Sequence, residues 1–160
     1  MPRLLIVWHS LTGGSEQMAR AAANAGDEVE ILLKRAADAG PDDLLAADGY
    51  LFTCPENLAS MAGVMKDFFD RTYYPVLGRI EGRPYATMIC AGSDGEGAAR
   101  QIARIAKGWR LKPVAEPLIV CTHAQTPEAI LAPKIIAETD LARCRELGAM
   151  LAAGLAMGIF

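Results

Sequence analysis

The sequence predicts a three-layer α/β domain: a five-stranded parallel sheet in the order 2-1-3-4-5 with helices on both faces. Three observations predict it. Short, continuous apolar runs bounded by Gly, Pro, Ser and Asn recur along the chain, as strands buried on both faces do. Helical patterns alternate with these runs, and that alternation calls for parallel pairing through crossover helices. The 160 residues accommodate five such units and are short for the six-strand dinucleotide order. No repeat, linker or second core interrupts the chain, so residues 1–160 read as one domain.

Leu4 to Trp8 is the first strand, and it empties into His9-Ser10-Leu11-Thr12-Gly13-Gly14-Ser15. The Ala-rich stretch Glu16 to Ala25 reads as the first helix, with Ser15 placed to cap its first turn. Val29 to Leu33 is the second strand, and Pro41 to Ala46 a short second helix. Gly49 to Cys54 is the third strand and runs into a Pro55-Glu56-Asn57 loop. Met61 to Tyr74 then sets Met61, Val64, Met65, Phe68, Phe69 and Tyr73 near one helical face. Tyr85 to Cys90 is the fourth strand, followed by Ala91-Gly92-Ser93-Asp94-Gly95-Glu96-Gly97. Ala98 to Trp109 repeats the helical pattern through Ile102, Ile105, Ala106 and Trp109. Ala115 to Cys121 supplies the fifth strand. A turn around Ala129 to Ala132 precedes Pro133, and Thr139 to Ala156 closes the chain as a helix.

Charge and cysteine usage narrow the function. A net charge of −3 exerts no pull toward nucleic acid or anionic lipid, and is far from a strongly acidic electron shuttle. Cys54, Cys90, Cys121 and Cys144 form no CxxC pair and no zinc spacing. His9 and His123 would join three of them at the strand ends, but without ligand spacing no metal site is expected. The N-terminus lacks a signal-peptide pattern, so reduced thiols and a cytoplasmic location are expected. Leu147 to Phe160 is free of charge but short of the roughly 20 residues that span a bilayer. Its glycines, Gly148, Gly154 and Gly158, admit a second helix, from a homo-oligomeric partner or from the domain itself.

Ligands of open parallel sheets bind beyond the carboxyl ends of the strands, where the strand order reverses. All three glycine- or proline-rich loops empty there. In the first, Ser10, Thr12 and Ser15 with Gly13 and Gly14 directly precede a helix, an arrangement that cradles phosphate through amides and hydroxyls. No Lys or Arg lies between His9 and Met18, so the cradle is neutral and lacks the lysine of a nucleoside-triphosphate loop. A monophosphate fits better. A phosphoacceptor receiver needs acidic residues where Trp8-His9 stand and an Asp where Thr53-Cys54 stand. A small tyrosine phosphatase needs a Cys and an Arg in the first loop, and an esterase needs GxSxG; the chain has neither.

These loops resemble a family. His9 to Ser15 is similar to the FMN-phosphate loop of flavodoxin-like proteins. Cys54-Pro55-Glu56-Asn57-Leu58-Ala59-Ser60-Met61-Ala62-Gly63, with Lys66, Asp67, Phe68, Asp70 and Arg71 on the following helix, resembles the second flavin loop of small NAD(P)H-dependent FMN reductases and quinone reductase-like flavodoxins. The resemblance implies a flavodoxin-like fold and non-covalent FMN. The phosphate would lie on Ser10, Thr12, Gly13, Gly14 and Ser15. The ring would lie between Pro55, Glu56, Asn57 and Leu58 on one side and Ala91, Gly92, Ser93, Asp94 and Gly95 on the other. The flavin would carry the chemistry, with NADH or NADPH as donor and a flavin, quinone or similar small molecule as acceptor; no side chain is assigned as catalytic. Leu58 and Met61 replace the aromatics that flank the ring in flavodoxins, which favours a reductase. The alternatives are an electron-transfer module with a protein partner and a flavin-free regulatory domain. His9 reads as structural, Asp70-Arg71 as an anchor for its helix, and Tyr73-Tyr74-Pro75 as either a substrate mouth or a helix end.

Overall fold

The computed structural model describes residues 1–160. Chain order is β1 (Arg3–Trp8), α1 (Gly14–Ala23), β2 (Glu30–Arg35), α2 (Pro41–Ala46), β3 (Gly49–Asn57), β4 (Ser60–Met61), α3 (Gly63–Val76), β5 (Pro84–Ala91), α4 (Glu96–Gly108), β6 (Lys112–Pro113), β7 (Leu118–Cys121), α5 (Pro127–Leu131) and α6 (Glu138–Met157). The parallel strands run β2-β1-β3-β5, and both β6 and β7 pair with β5 on its far side. This is the expected order with its fifth strand broken in two. The segment expected from Ala115 begins to pair only at Leu118, because Pro113 and Pro117, which lack an N–H for the ladder, bracket the gap. β4 is an addition: it folds back antiparallel on the end of β3.

Alternation along the central strands builds one core on each face. Leu5, Val7, Tyr50, Phe52 and Cys54 point toward α2, α3 and α4, where Phe52 meets Phe69 at 5.2 Å between ring centroids. Leu4, Ile6, Trp8 and Leu51 point toward α1 and α6. With both faces covered, the strands read as continuous apolar runs.

The glycines of α6 are engaged within the chain. A Cβ on Gly148 would stand 2.0 Å from the Ala22 carbonyl oxygen, so this is where α6 presses against α1. One on Gly154 would stand 2.1 Å from the Phe160 ring, and Gly158, at φ +66°, ends the helix in the left-handed region. Gly148 is therefore used within the chain, for the close approach of α6 to α1. No helix is long and apolar enough to cross a membrane.

The far end of α3 lies at the opposite edge of the sheet from the loops. There Tyr73 stacks on Trp109 at 5.7 Å, and the Trp109 indole donates to the Tyr73 carbonyl at 3.0 Å. Tyr73-Tyr74-Pro75 thus lies in the last turn of α3, packed on Trp109. Arg71 anchors α3 as expected, bonding Asp67 at 2.8 Å and the carbonyls of Ala36 and Ala39 at 2.8 and 3.0 Å.

Candidate functional site

Strand register brings the three loops together. Trp8 pairs with Thr53, and Pro55 pairs with Cys90, so the chain leaves β1, β3 and β5 at neighbouring points on one edge.

In the first loop the turn closes on itself. The Gly13 amide donates to Ser10 Oγ at 2.9 Å, and Gly13, at φ +95°, occupies the left-handed position that precedes α1. This corrects the reading of Ser15 as a helix cap. Gly13 is the N-cap, no side chain caps α1, and Ser15 lies inside the first turn. The amides of Gly14, Ser15 and Glu16 therefore have no intrahelical acceptor. Ser15 is only 1% exposed, yet its Oγ has no hydrogen-bond partner. Thr53 Oγ1, buried beside Trp8 in the sheet, is likewise unpartnered. Buried hydroxyls without a partner are uncommon, and each keeps a donor free for one. An anion at an uncapped helix N-terminus is favoured by both the free amides and the dipole.

The second loop is a hairpin, not the open loop expected at Pro55, Glu56 and Asn57. β3 continues through Asn57, and Ser60 and Met61 pair back on Asn57 and Glu56. The two-residue turn puts Leu58 at φ +52° and Ala59 at φ +64°. A turn of this form needs positive φ at both central residues and is ordinarily built from Asn and Gly. Two non-glycine residues there cost roughly 1–3 kcal/mol each, strain that the surroundings must hold. They do so through α4. Met61 N and Ser60 Oγ donate to Gln101 Oε1 at 2.8 and 3.0 Å, and Gly97 lets the Ala59 carbonyl approach. Met61 is buried among the residues expected, but from a strand and not from α3.

Glu56 is turned away from the mouth. Its carboxylate accepts from Gly95 N at 2.9 Å and Ala98 N at 3.0 Å, capping α4. Two helix N-termini thus face this edge of the sheet. The chain fills one with its own anion and leaves the other open. Leu58 is fully exposed, and Asn57 is exposed beside it.

The third loop is held by β7. Thr122 N and His123 N donate to the Ala91 and Gly92 carbonyls, both at 2.8 Å. Ser93 and Asp94 are exposed, and Gly95, at φ +90°, is buried where it starts α4.

Burial lowers the His9 pKa, so the ring is neutral at pH 7. Burial also pushes the thiols of Cys54 up to about 12, and of Cys90 and Cys144 up to about 11, which leaves all three protonated and unreactive. No disulfide links the cysteines, and no three His, Cys, Asp or Glu side chains gather as metal ligands.

A further segment belongs to this edge and has no local signal in the sequence. Between β7 and α6 the chain lays residues 132–136 across the first loop, with Lys134 N donating to the Thr12 carbonyl at 2.8 Å. The Gln17 side chain stitches the two together, 117 residues from Lys134 in sequence.

Known proteins resemble this chain in sequence and in fold. The sequence model of the NADPH-dependent FMN reductase family matches residues 15–125. A flavodoxin of Aquifex aeolicus (strain VF5) is 30% identical over 108 residues, covering 64% of this chain and 56% of its own. An NAD(P)H dehydrogenase (quinone) of Acidithiobacillus ferrooxidans (strain ATCC 53993 / BNL-5-31) is 34% identical over 95 residues, 45% of this chain and 48% of its own. The chain spans about half the length of these two relatives. Among solved structures, a flavodoxin from the domain Archaea superposes with a TM-score of 0.77 at 20% identity, covering 96% of this chain and 98% of its own. Oxidised Flavodoxin 1 from Bacillus cereus gives 0.77 at 20% identity over 96% and 99%. The fold is that of the flavodoxins.

Proposed function

We propose, on the premise that the chain belongs to the NADPH-dependent FMN reductase family, that it binds FMN and passes electrons from NADH or NADPH through it to a small-molecule acceptor such as a flavin or quinone. The observation that carries this reading is the open N-terminus of α1, where free amides surround a buried, unpartnered Ser15 hydroxyl. The donor set suits a phosphate monoester: the hydroxyls of Ser10, Thr12 and Ser15 and the first-turn amides, with Gly13 and Gly14 setting the curve of the backbone. When bound, the flavin supplies the hydride and electron chemistry. The chain binds it, orients it and sets access to it. The hairpin backbone at Pro55 to Leu58 and the turn from Ala91 to Gly95 would flank the ring, with Glu56 contributing backbone and a capped helix but no free carboxylate.

Exposed aliphatic side chains lie along this edge: Leu11 and Leu58 on the first two loops, Ile130 and Leu131 just before the segment that crosses the first, and Ile135 within it. Such a collar favours a flat, apolar acceptor over a charged one. The unlinked cysteines suit a cytoplasmic setting. The deciding experiment is the visible spectrum of purified protein after FMN is added and the excess removed, followed by steady-state turnover with NADH and NADPH. Retained flavin bands with turnover support the reading. Absent bands overturn it, and bands without turnover favour an electron-transfer module. Replacing Thr12, whose carbonyl alone bonds within the protein, by Val is expected to weaken FMN about 10-fold and leave the melting temperature unchanged. Unaltered affinity in a titration would refute the assignment of the loop.

A further inference from the structure

The first loop carries no cation, and His9 beside it is neutral. The only acid in the first turn of α1, Glu16, is paired with Arg20 at 2.9 Å. We infer that Lys134, delivered from the far side of the fold, is the positive charge of the phosphate cradle, and that the segment Ala132 to Ile136 is its mount. This inference rests on the FMN reading above.

The mount is built by hydrogen bonds at both ends of the residue. Lys134 N donates to the Thr12 carbonyl at 2.8 Å. Gln17 Nε2 donates to the carbonyls of Gly13 at 2.9 Å and Lys134 at 2.7 Å, while its Oε1 accepts from Ile136 N at 3.0 Å. One amide side chain thus locks the crossing segment to the start of α1. The Lys134 side chain starts beside that turn, since a Cβ on Gly14 would lie 3.6 Å from Lys134 Cβ.

The ammonium is fixed without being neutralised. Nζ donates to the carbonyls of Ala129, Ile130 and Ala132 at 2.8, 2.8 and 2.6 Å, so all three protons have acceptors. None of those acceptors carries a formal charge, and no carboxylate pairs with Lys134 among the salt bridges. The charge is felt at the base of the cradle: it draws the Cys90 thiol pKa down against burial, and Cys90 Sγ lies directly beneath Gly14. A held point charge attracts a dianionic phosphate through space while amides and hydroxyls make the directional bonds. Because the three bonds consume its donors, Lys134 is a positioning and electrostatic residue and makes no direct contact.

Riboflavin, which lacks the phosphate, separates this role from a structural one. FMN and riboflavin are titrated into the wild type, Lys134→Gln, Lys134→Met and Lys134→Arg at low and high salt, with the melting temperature followed in parallel. The neutral variants are expected to lose FMN affinity about 10-fold at low salt with riboflavin unaffected, and Lys134→Arg is expected to keep most of it. The difference should shrink at high salt. Lys134→Met keeps an unbranched apolar stem, so it reports charge even where Gln disturbs packing. Equal FMN affinity in folded neutral variants overturns the inference while leaving the FMN reading intact. A parallel loss of both flavins, or unfolding of both neutral variants, also overturns it and marks Lys134 as a prop for the crossing segment. Failure of the wild type to bind FMN removes the FMN reading and this inference with it.

Discussion

A Gly14→Ala variant is expected to lose FMN affinity by about 100-fold, and a Gly14→Ala/Cys90→Ala double variant to recover most of it. Gly14 has no need of an unusual backbone; its neighbour Gly13 holds the left-handed position. The requirement at residue 14 is room. An added Cβ would stand 2.7 Å from Cys90 Sγ and 3.4 Å from Ile136 Cδ1. The sulfur has nowhere to retreat, because Cys90 sits on β5 in the close-packed core shared with Trp8 and Cys144. The first turn of α1 must therefore rise from the sheet, carrying the Ser15 hydroxyl and the free amides out of register. Removing the sulfur at residue 90 returns the space. FMN and riboflavin titrations on both variants check this: FMN should suffer far more than riboflavin, and the double variant should deviate from additivity. Wild-type affinity in the single variant, or a double variant no better than the single, would show that the turn is not set by this contact.

The setting of this contact is legible in the sequence, and the contact itself is not. The apolar runs of β1, β3 and β5 announce a doubly covered parallel sheet, and with it the edge on which loops converge. The glycines and hydroxyls from Ser10 to Ser15 announce an anion site there. Sequence does not distinguish a Ser that caps a helix from one buried in its first turn; that depends on where the helix starts, and Gly13 rather than Ser15 takes the cap. Nor does it show Cys90 beneath Gly14 or Lys134 above it. Both arrive through tertiary packing, and neither leaves a periodic or local signature.

The hairpin at residues 57–60 was hidden for a different reason. Pro55 and Asn57 are turn formers, and Leu58-Ala59 lacks the Asn-Gly or Asp-Gly pair that signals a two-residue hairpin. Local propensity argues against the structure that forms. What overrides it is α4, through Glu56, Gln101 and the missing side chain of Gly97. Strain held in place by a neighbouring helix is characteristic of functional loops. Loss of the helix contact, not of the turn residues, is then the effective way to disturb it.

Gly97→Ala tests that dependence. A Cβ at residue 97 would lie 2.2 Å from the Ala59 carbonyl oxygen and 3.2 Å from its carbon, so backbone must give way. Glu56 Oε2 is 3.3 Å from the same point and bonds Ala98 N, the next residue along the helix. The hairpin cannot move off Gly97 without stretching those carboxylate bonds. Loss of one charge-assisted bond is worth about 2 kcal/mol, or about 30-fold in an equilibrium. Part of that will appear as lowered stability in denaturant unfolding, and the rest as weaker flavin binding. The pattern across ligands separates this edge from the phosphate cradle. FMN and riboflavin are expected to weaken in parallel, because on the proposed reading the hairpin flanks the ring that both share, whereas the Gly14→Ala loss is concentrated in FMN. Glu56→Gln, which retains an acceptor but removes the charge, should shift both flavins in the same direction by a smaller factor. A Gly97→Ala protein with unchanged affinity for both flavins would show that the hairpin stands clear of the ring. A loss confined to FMN would place the disturbance at α1 instead.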